Sequence, residues 1–159
     1  MNENNSPEYT SRLATLADMD ALNDLLCALF QQEDEFVPDI AAQTRGLTDI
    51  LQNPAMGCIL VSCETTAPKN VNGMVNLLFT ISTALGGKVA LLEDMVIAQQ
   101  ARHQGIGSLL IQAAIAEAKR QDCLRITLLT DHHNTAAQAF YEKHGFQASP
   151  MRPYRLMLE

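Results

Sequence analysis

Hydrophobic side chains recur at helical spacing near the start of the chain. They lie every three or four positions behind Asp18, a residue suited to capping a helix. The recurring side chains are Leu22, Leu25, Leu26, Leu29 and Phe30. The stretch SRLAT before them predicts a short strand, and a second helix is predicted from Ile40 to Leu51, ended by Asn53 and Pro54.

The period then changes from helical to alternating. Three segments rich in Val, Ile, Leu and Thr follow, separated by the turn-forming stretches TTAPKN and ALGGK. The three segments are GCILVSCE, VNGMVNLLFTIST and KVALLEDMVI. Strands joined by short connections are typical of an antiparallel meander, so we expect these three to pair in sequence order.

Helices and strands alternate in the second half. We predict a helix over residues 104–120, a strand at CLRITLLT, a helix from Asn134 to His144 and a terminal strand at YRLMLE. Strand, helix and strand across residues 89–130 form one crossover unit, which joins parallel strands. The whole pattern predicts an α/β or α+β arrangement with a mixed sheet, in a single domain over residues 1–159.

Charge and composition narrow the functional classes. The net charge of −7, with only 11 Lys and Arg, disfavours nonspecific binding to nucleic acid or to anionic lipid. No apolar run approaches the roughly 20 residues of a membrane span, and the opening MNENNSPEYT has no leader pattern, so we expect a cytoplasmic protein. The four histidines show no metal-ligand spacing, and no metal is expected.

Two glycines, Gly105 and Gly107, stand where the third predicted helix begins. Glycine is unfavourable inside a helix, so its use here predicts a backbone that something must approach closely. The first N–H groups of a helix lack intrahelical partners and attract anions such as phosphate. The dinucleotide fingerprint is not met, because its third glycine would fall on Leu110. No Gly-Lys-Ser/Thr ending of a P-loop follows either.

The run Arg102-His103-Gln104-Gly105-Ile106-Gly107 matches the Arg/Gln-x-x-Gly-x-Gly/Ala signature of the GNAT family of N-acetyltransferases. LLEDMVIAQQ resembles that family's fourth strand, DHHNTAAQAFYEKHGF its second motif, and RLATLADMDALNDLL its opening strand and helix. In motif, the chain is most similar to the diamine and thialysine acetyltransferase branch. The resemblance implies a mixed, largely antiparallel central sheet of about six to seven strands, flanked by about four helices.

The resemblance also implies a cofactor site. Acetyl-CoA would be the donor, and the acetyl group would pass directly to an amine, which suits the lack of a recognisable nucleophilic triad. Backbone N–H groups of the glycine loop would hold the pyrophosphate, and those of the fourth strand would polarise the thioester carbonyl. The implied cofactor-binding residues are Met95, Val96, Ile97, Arg102, His103, Gln104, Gly105, Ile106, Gly107, Ser108, Asn134 and Tyr141.

A carboxylate interrupts the apolar stretch VALLEDMVI just before the implied thioester site. An amine is mostly protonated at neutral pH, so a base or a water relay must remove its proton, and Glu93 is the first candidate. By strict alternation Glu93 shares a face with Leu91, Met95 and Ile97, and Asp94 takes the opposite face. The alternative is that both carboxylates pair with a neighbouring strand or reach solvent.

Two residues of the second motif have both a chemical and a structural interpretation. Tyr141 matches the family's general acid, which protonates the departing thiolate; otherwise it is a partly buried aromatic beside Phe140. Asn134 matches a residue that contacts coenzyme A, and it is also a preferred N-cap, with Gly145 as the matching C-terminal cap. Both roles of Asn134 can coexist.

The resulting hypothesis is an N-acetyltransferase that acts on a primary amine, and specifically on a small cationic acceptor. Acidic side chains expected to receive that acceptor are Glu93 and Asp94, joined by Glu33 and Glu35 of the first interhelical connection, which is otherwise a solvated helix end. Two alternatives stay open: a catalytically silent acetyl-CoA-binding sensor or interaction domain, and an enzyme acting on protein or peptide amines. A homodimer is compatible with each of them.

Overall fold

A computed structural model describes residues 8–32 and 37–158 of the chain. It contains five strands and four α-helices within those ranges. In chain order they are β1 (Tyr9–Leu13), α1 (Met19–Phe30), α2 (Ile40–Gln52), β2 (Gly57–Glu64), β3 (Ala67–Ser82), β4 (Gly87–Ile97), α3 (Ile106–Arg120), β5 (Ile126–Leu128) and α4 (Thr135–Lys143). Single 3₁₀ turns, Leu16–Asp18 and Gln99–Ala101, precede α1 and follow β4.

The strands form one sheet in the order β1-β2-β3-β4-β5. The first three pairings are antiparallel. Short turns join β2, β3 and β4, as expected for such pairing, whereas α1 and α2 separate β1 from β2 in the chain. Strand β4 pairs with β5 in parallel after the α3 crossover. The mixed, largely antiparallel sheet and the crossover unit are therefore confirmed. None of the described helices is long and apolar enough to cross a bilayer.

The strand count is lower than predicted, because residues 151–158 carry no strand. Their alternating pattern leaves large apolar side chains in solvent; Tyr154, for example, is 94% exposed. Alternation shows only that a segment can present one apolar face, and a strand forms when another strand pairs with it. The predicted terminal strand was wrong for this reason.

Helices cover both faces of the sheet. On one face, α1 and α2 pack on Ile59, Met74 and Val96, with Leu22, Leu26 and Leu47 as the buried helical residues. On the other face, α3 lies close to Gly73, where an added Cβ would come within 3.0 Å of Leu110 and 2.7 Å of Ile97. A glycine in the middle of β3 therefore lets α3 pack closely on the sheet.

Asp18 stands at the start of α1 but does not cap it through its side chain. The carboxylate accepts two hydrogen bonds from the Arg12 guanidinium, at 2.8 and 2.9 Å, and one from the N–H of Thr15 at 2.8 Å. These bonds, with Arg12 contributing most, lower the pKa of Asp18 against the opposing effect of burial. The predicted cap is thus a partly buried ion pair that joins β1 to the beginning of α1.

Two compact units make up the chain, residues 1–129 and 130–159. The first contains the sheet and α1 to α3. The second contains α4 and a C-terminal tail whose described residues form no helix or strand. That the chain acts as a single N-acetyltransferase domain stays a prediction.

Candidate active site

The glycine loop lies between the end of β4 and the start of α3. After the turn Gln99–Ala101 the chain runs through Arg102 to Gly105, which is the N-cap of α3. His103 and Gly105 both adopt left-handed backbone conformations, with φ of 63° and 79°. The loop thus turns sharply twice before the helix begins.

Gly105 is required by its backbone conformation rather than by lack of space. A Cβ added there would meet no heavy atom within 4 Å, but its φ lies in the region that L-residues enter at a cost of about 1–2 kcal/mol. The N–H of Leu109 donates to the carbonyl of Gly105 at 3.0 Å and so closes the first turn of α3. The exposed loop residues 102–105 lead into the positive end of the helix dipole, which favours an anion.

Three side-chain hydrogen bonds hold the loop in place. Arg102 Nε donates to the carbonyl of Ile97 at 3.3 Å, and Gln104 Nε2 donates to the carbonyl of Gln100 at 3.2 Å. The hydroxyl of Tyr9, from β1, donates to Gln104 Oε1 at 2.7 Å. A cavity of about 230 Å³ opens beside this contact. Sequence reasoning missed Tyr9, because 95 residues separate the two partners.

Strand β4 outruns its parallel partner. The pairing between β4 and β5 covers Ala90 to Leu92, opposite Ile126 to Leu128, whereas β4 continues to Ile97. Among the described strands, the last part of β4 therefore pairs only with β3, and its other edge opens beyond the end of β5. The predicted thioester-binding residues Met95, Val96 and Ile97 lie on this segment, directly before the glycine loop.

A β-bulge interrupts the alternation of β4 directly after Glu93. Asn76 lies opposite Glu93 and Met74 opposite Val96, so that two residues of β4 lie opposite a single residue of β3. The first of the two, Asp94, has φ of 49°. Strict alternation from Leu91 to Ile97 was therefore a wrong prediction, since the extra residue interrupts it.

The bulge brings Asp94 to a cleft of about 320 Å³. The cleft is bounded by α1, α2, β3 and β4 and is lined also by Asn76, whose Nδ2 donates to Asp94 Oδ2 at 2.7 Å. Glu93 is exposed and does not line it. Sequence reasoning missed Asn76, although an amide inside the apolar stretch VNGMVNLLF was a signal that could have found it.

The second unit carries the other two predicted site residues. Asn134 caps α4, because its Oδ1 accepts from the N–H of Ala137 at 3.0 Å. The ring of Tyr141 packs edge-on against Phe140 and Phe146, at centroid distances of 5.3 and 5.8 Å. Burial raises the pKa of the Tyr141 hydroxyl.

The comparison that decides the family covers most of the chain. Residues 19–146 match the family model described as the Acetyltransferase (GNAT) family. The chain belongs to the GNAT acetyltransferase family. That match spans β4, the glycine loop, α3 and α4, which contain the glycine signature and two of the three other stretches that resemble the family.

Relatives of this GNAT chain include the uncharacterized N-acetyltransferase YhfO of Bacillus subtilis (strain 168), 32% identical over 75 residues that cover 47% of this chain and 50% of the relative. The chain thus spans about half the length of the curated relatives that it matches. A crystal structure described as a transcriptional regulator from Bacillus halodurans C-125 superposes with a TM-score of 0.80, at 27% identity, over 95% of this chain and 100% of that one. A possible acetyltransferase from Clostridium difficile 630 gives a TM-score of 0.83 at 16% identity, covering 95% and 98%, which shows the GNAT fold.

The GNAT fold brings some of the predicted site residues together. Residues 102–108 form one loop and first helical turn, joined to residues 95–97 at the end of β4 by the Arg102 hydrogen bond. Asp94 faces the cleft and Glu93 is exposed. Glu33 and Glu35 lie outside the described residues. The described residues contain no cluster of three or more side chains that could hold a metal ion.

Proposed function

We propose that the protein is an N-acetyltransferase that moves the acetyl group of acetyl-CoA directly to a primary amine on a small cationic molecule. The observation that supports this most is the glycine loop. Its left-handed residues His103 and Gly105 present an open backbone at the N-terminus of α3, directly after the strand segment that extends beyond β5. The pyrophosphate would bind there, and Arg102 adds a positive charge at the start of the loop.

The remaining steps fall to groups on β4 and α4. Backbone N–H groups near Val96 and Ile97 polarise the thioester carbonyl, an effect for which one donor contributes about 10²- to 10³-fold in rate. Glu93, or a water relay, removes a proton from the ammonium, and the neutral nitrogen attacks the carbonyl carbon. The C–S bond breaks as the C–N bond is completed, and Tyr141 protonates the thiolate.

Acetyl-CoA titration by calorimetry tests the loop. Gly105→Ala places an alanine in a left-handed conformation, and the loop can relieve this strain by shifting away from the conformation that binds acetyl-CoA. We expect the dissociation constant of acetyl-CoA to rise at least about tenfold, which corresponds to about 1.4 kcal/mol. Gly86→Ala is the matched control, because Gly86 has φ of 71° and equally open surroundings but lies in the turn between β3 and β4. Native protein that does not bind acetyl-CoA would refute the proposal.

Amine-dependent release of coenzyme A then separates an enzyme from a binding domain. An enzyme releases the free thiol in proportion to added amine, whereas a silent sensor binds acetyl-CoA without turnover. Trials with peptide amines in the same assay address the alternative of a protein acceptor. The cytoplasmic location and the homodimer stay predictions.

A further inference from the structure

The cleft between α1, α2, β3 and β4 contains a polar group with an unused hydrogen-bonding atom. Asn76 is 2% exposed and lines the cleft. Its Nδ2 donates to Asp94, and because a carboxylate only accepts hydrogen bonds, this contact determines which end of the amide faces Asp94. Its Oδ1 finds no hydrogen-bond partner anywhere in residues 8–32 and 37–158. Buried acceptors of this kind are normally satisfied, so the orphaned oxygen points to a missing donor.

The chemistry of the pair defines that donor. The Asn76 carbonyl oxygen and the Asp94 carboxylate both accept hydrogen bonds, and the carboxylate adds negative charge. A primary ammonium carries three N–H donors and a positive charge, so one such group can satisfy both. A neutral hydroxyl would supply one donor and no charge.

The rest of the cleft limits the body of the ligand. Most of its wall is apolar, formed by Leu26, Phe30, Val37, Ala42, Leu47 and Ile50. Its charged lining residues are both acidic, Asp39 and Asp94, with no Lys, Arg or His among the lining residues described. A carboxylate next to the amine would meet repulsion with no cation to compensate it, so an α-amino acid fits poorly.

We propose that this cleft receives the ammonium group of a primary amine that has an apolar body and no carboxylate beside the nitrogen, with Asn76 and Asp94 as the ammonium receptor. This inference rests on the proposed function and names its acceptor class. The bound ammonium releases a proton to a water relay, because Glu93 does not line the cleft. Its nitrogen then forms a bond to the acetyl carbon, and the C–S bond breaks. The resulting amide nitrogen loses a second proton and the thiolate takes one up, so that one proton is released overall.

The native protein tests the class directly. Coenzyme A release is measured with phenethylamine and isoamylamine, with the matched amino acids phenylalanine and leucine, and with putrescine. We expect kcat/KM for each apolar amine to exceed that for its amino acid by at least about tenfold, and to exceed that for the diamine. Preference for the amino acids or for putrescine overturns the proposal.

Variants test the receptor. Asp94→Asn keeps a side chain that tolerates φ of 49° and still accepts from Asn76, but it removes the charge. We expect KM for phenethylamine to rise at least about tenfold, the lower end for a hydrogen bond to a charged group, while the dissociation constant of acetyl-CoA is unchanged. Asp49→Asn is the control, since Asp49 is exposed on α2 and does not line the cleft.

The outcomes separate this inference from the proposed function. Equal KM values for the Asp94 and Asp49 variants, with acetyl-CoA bound normally, overturn the receptor and leave the acetyltransferase in place. Failure of native protein to bind acetyl-CoA removes the proposed function instead. In that case calorimetric titration of native protein with phenethylamine alone tests whether the cleft binds an amine. Absence of binding then overturns the inference too. The comparison of amines, amino acids and putrescine uses only the native protein. It therefore tests the proposed acceptor class even if Asp94→Asn protein does not fold.

Discussion

The contact between Tyr9 and Gln104 predicts that a residue of the first strand controls binding at the glycine loop. Tyr9→Phe keeps the ring and removes the hydroxyl that donates to Gln104 Oε1 at 2.7 Å. Gln104 Nε2 also donates to the Gln100 carbonyl. In the variant the Gln104 amide therefore keeps this hydrogen bond and loses the one at Oε1. We expect the loop to keep its fold but to sample conformations that do not bind acetyl-CoA.

The size of the effect follows from the bond that is lost. A neutral hydrogen bond contributes about 0.5–1.5 kcal/mol net, and this one is exposed to solvent, so the lower half of that range applies. If that free energy holds the loop in the conformation that binds acetyl-CoA, its loss raises the dissociation constant of acetyl-CoA about two- to fivefold. The chemical step does not involve Tyr9, so kcat is unchanged.

Calorimetric titration of native and Tyr9→Phe protein measures the change, and steady-state kinetics measure kcat. Tyr154→Phe is the matched control, because it deletes the same hydroxyl from a residue that is 94% exposed in the C-terminal tail. An acetyl-CoA affinity equal to that of the control would refute the reasoning, and a fall in kcat alone would place Tyr9 in the chemistry instead.

Three further changes probe the loop, the proton donor and the ion pair. Gly107→Val should raise KM for acetyl-CoA and leave the melting temperature unchanged, and unaltered affinity would contradict the loop assignment. Tyr141→Phe should lower kcat at least about tenfold without changing acetyl-CoA affinity, and a retained kcat would make Tyr141 purely structural. Asp18→Asn should lower the free energy of unfolding by about 2 kcal/mol at pH 7, because Arg12 and Thr15 lose a charged acceptor. Since the pKa of Asp18 is lowered in the folded state, its stabilisation is complete above about pH 4 and is lost as the pH falls through the folded pKa. The difference in unfolding free energy between native and Asp18→Asn protein, measured by urea titration, should therefore be smaller at pH 3 than at pH 7.

Features that depend on neighbours in sequence could be predicted from the sequence alone. The start of α3 behind Gly105 and the cap of α4 by Asn134 depend on a few consecutive residues, and both lie within two residues of the predicted positions. The meander β2 to β4 was predictable for the same reason, since short turns bring consecutive strands together. The glycine loop itself could be located because its spacing is a local property.

Contacts between distant segments were decided only by the tertiary structure. The alternation in YRLMLE predicted a strand, but pairing needs a partner that the local pattern does not specify. The bulge that interrupts the predicted alternation next to Asp94 depends on the register between β3 and β4, which no single strand encodes. Asn76 and Asp94 meet across those strands, and Tyr9 meets Gln104 across 95 positions. Local propensity acts over a few residues, whereas these contacts exist only after the sheet and its helices have packed.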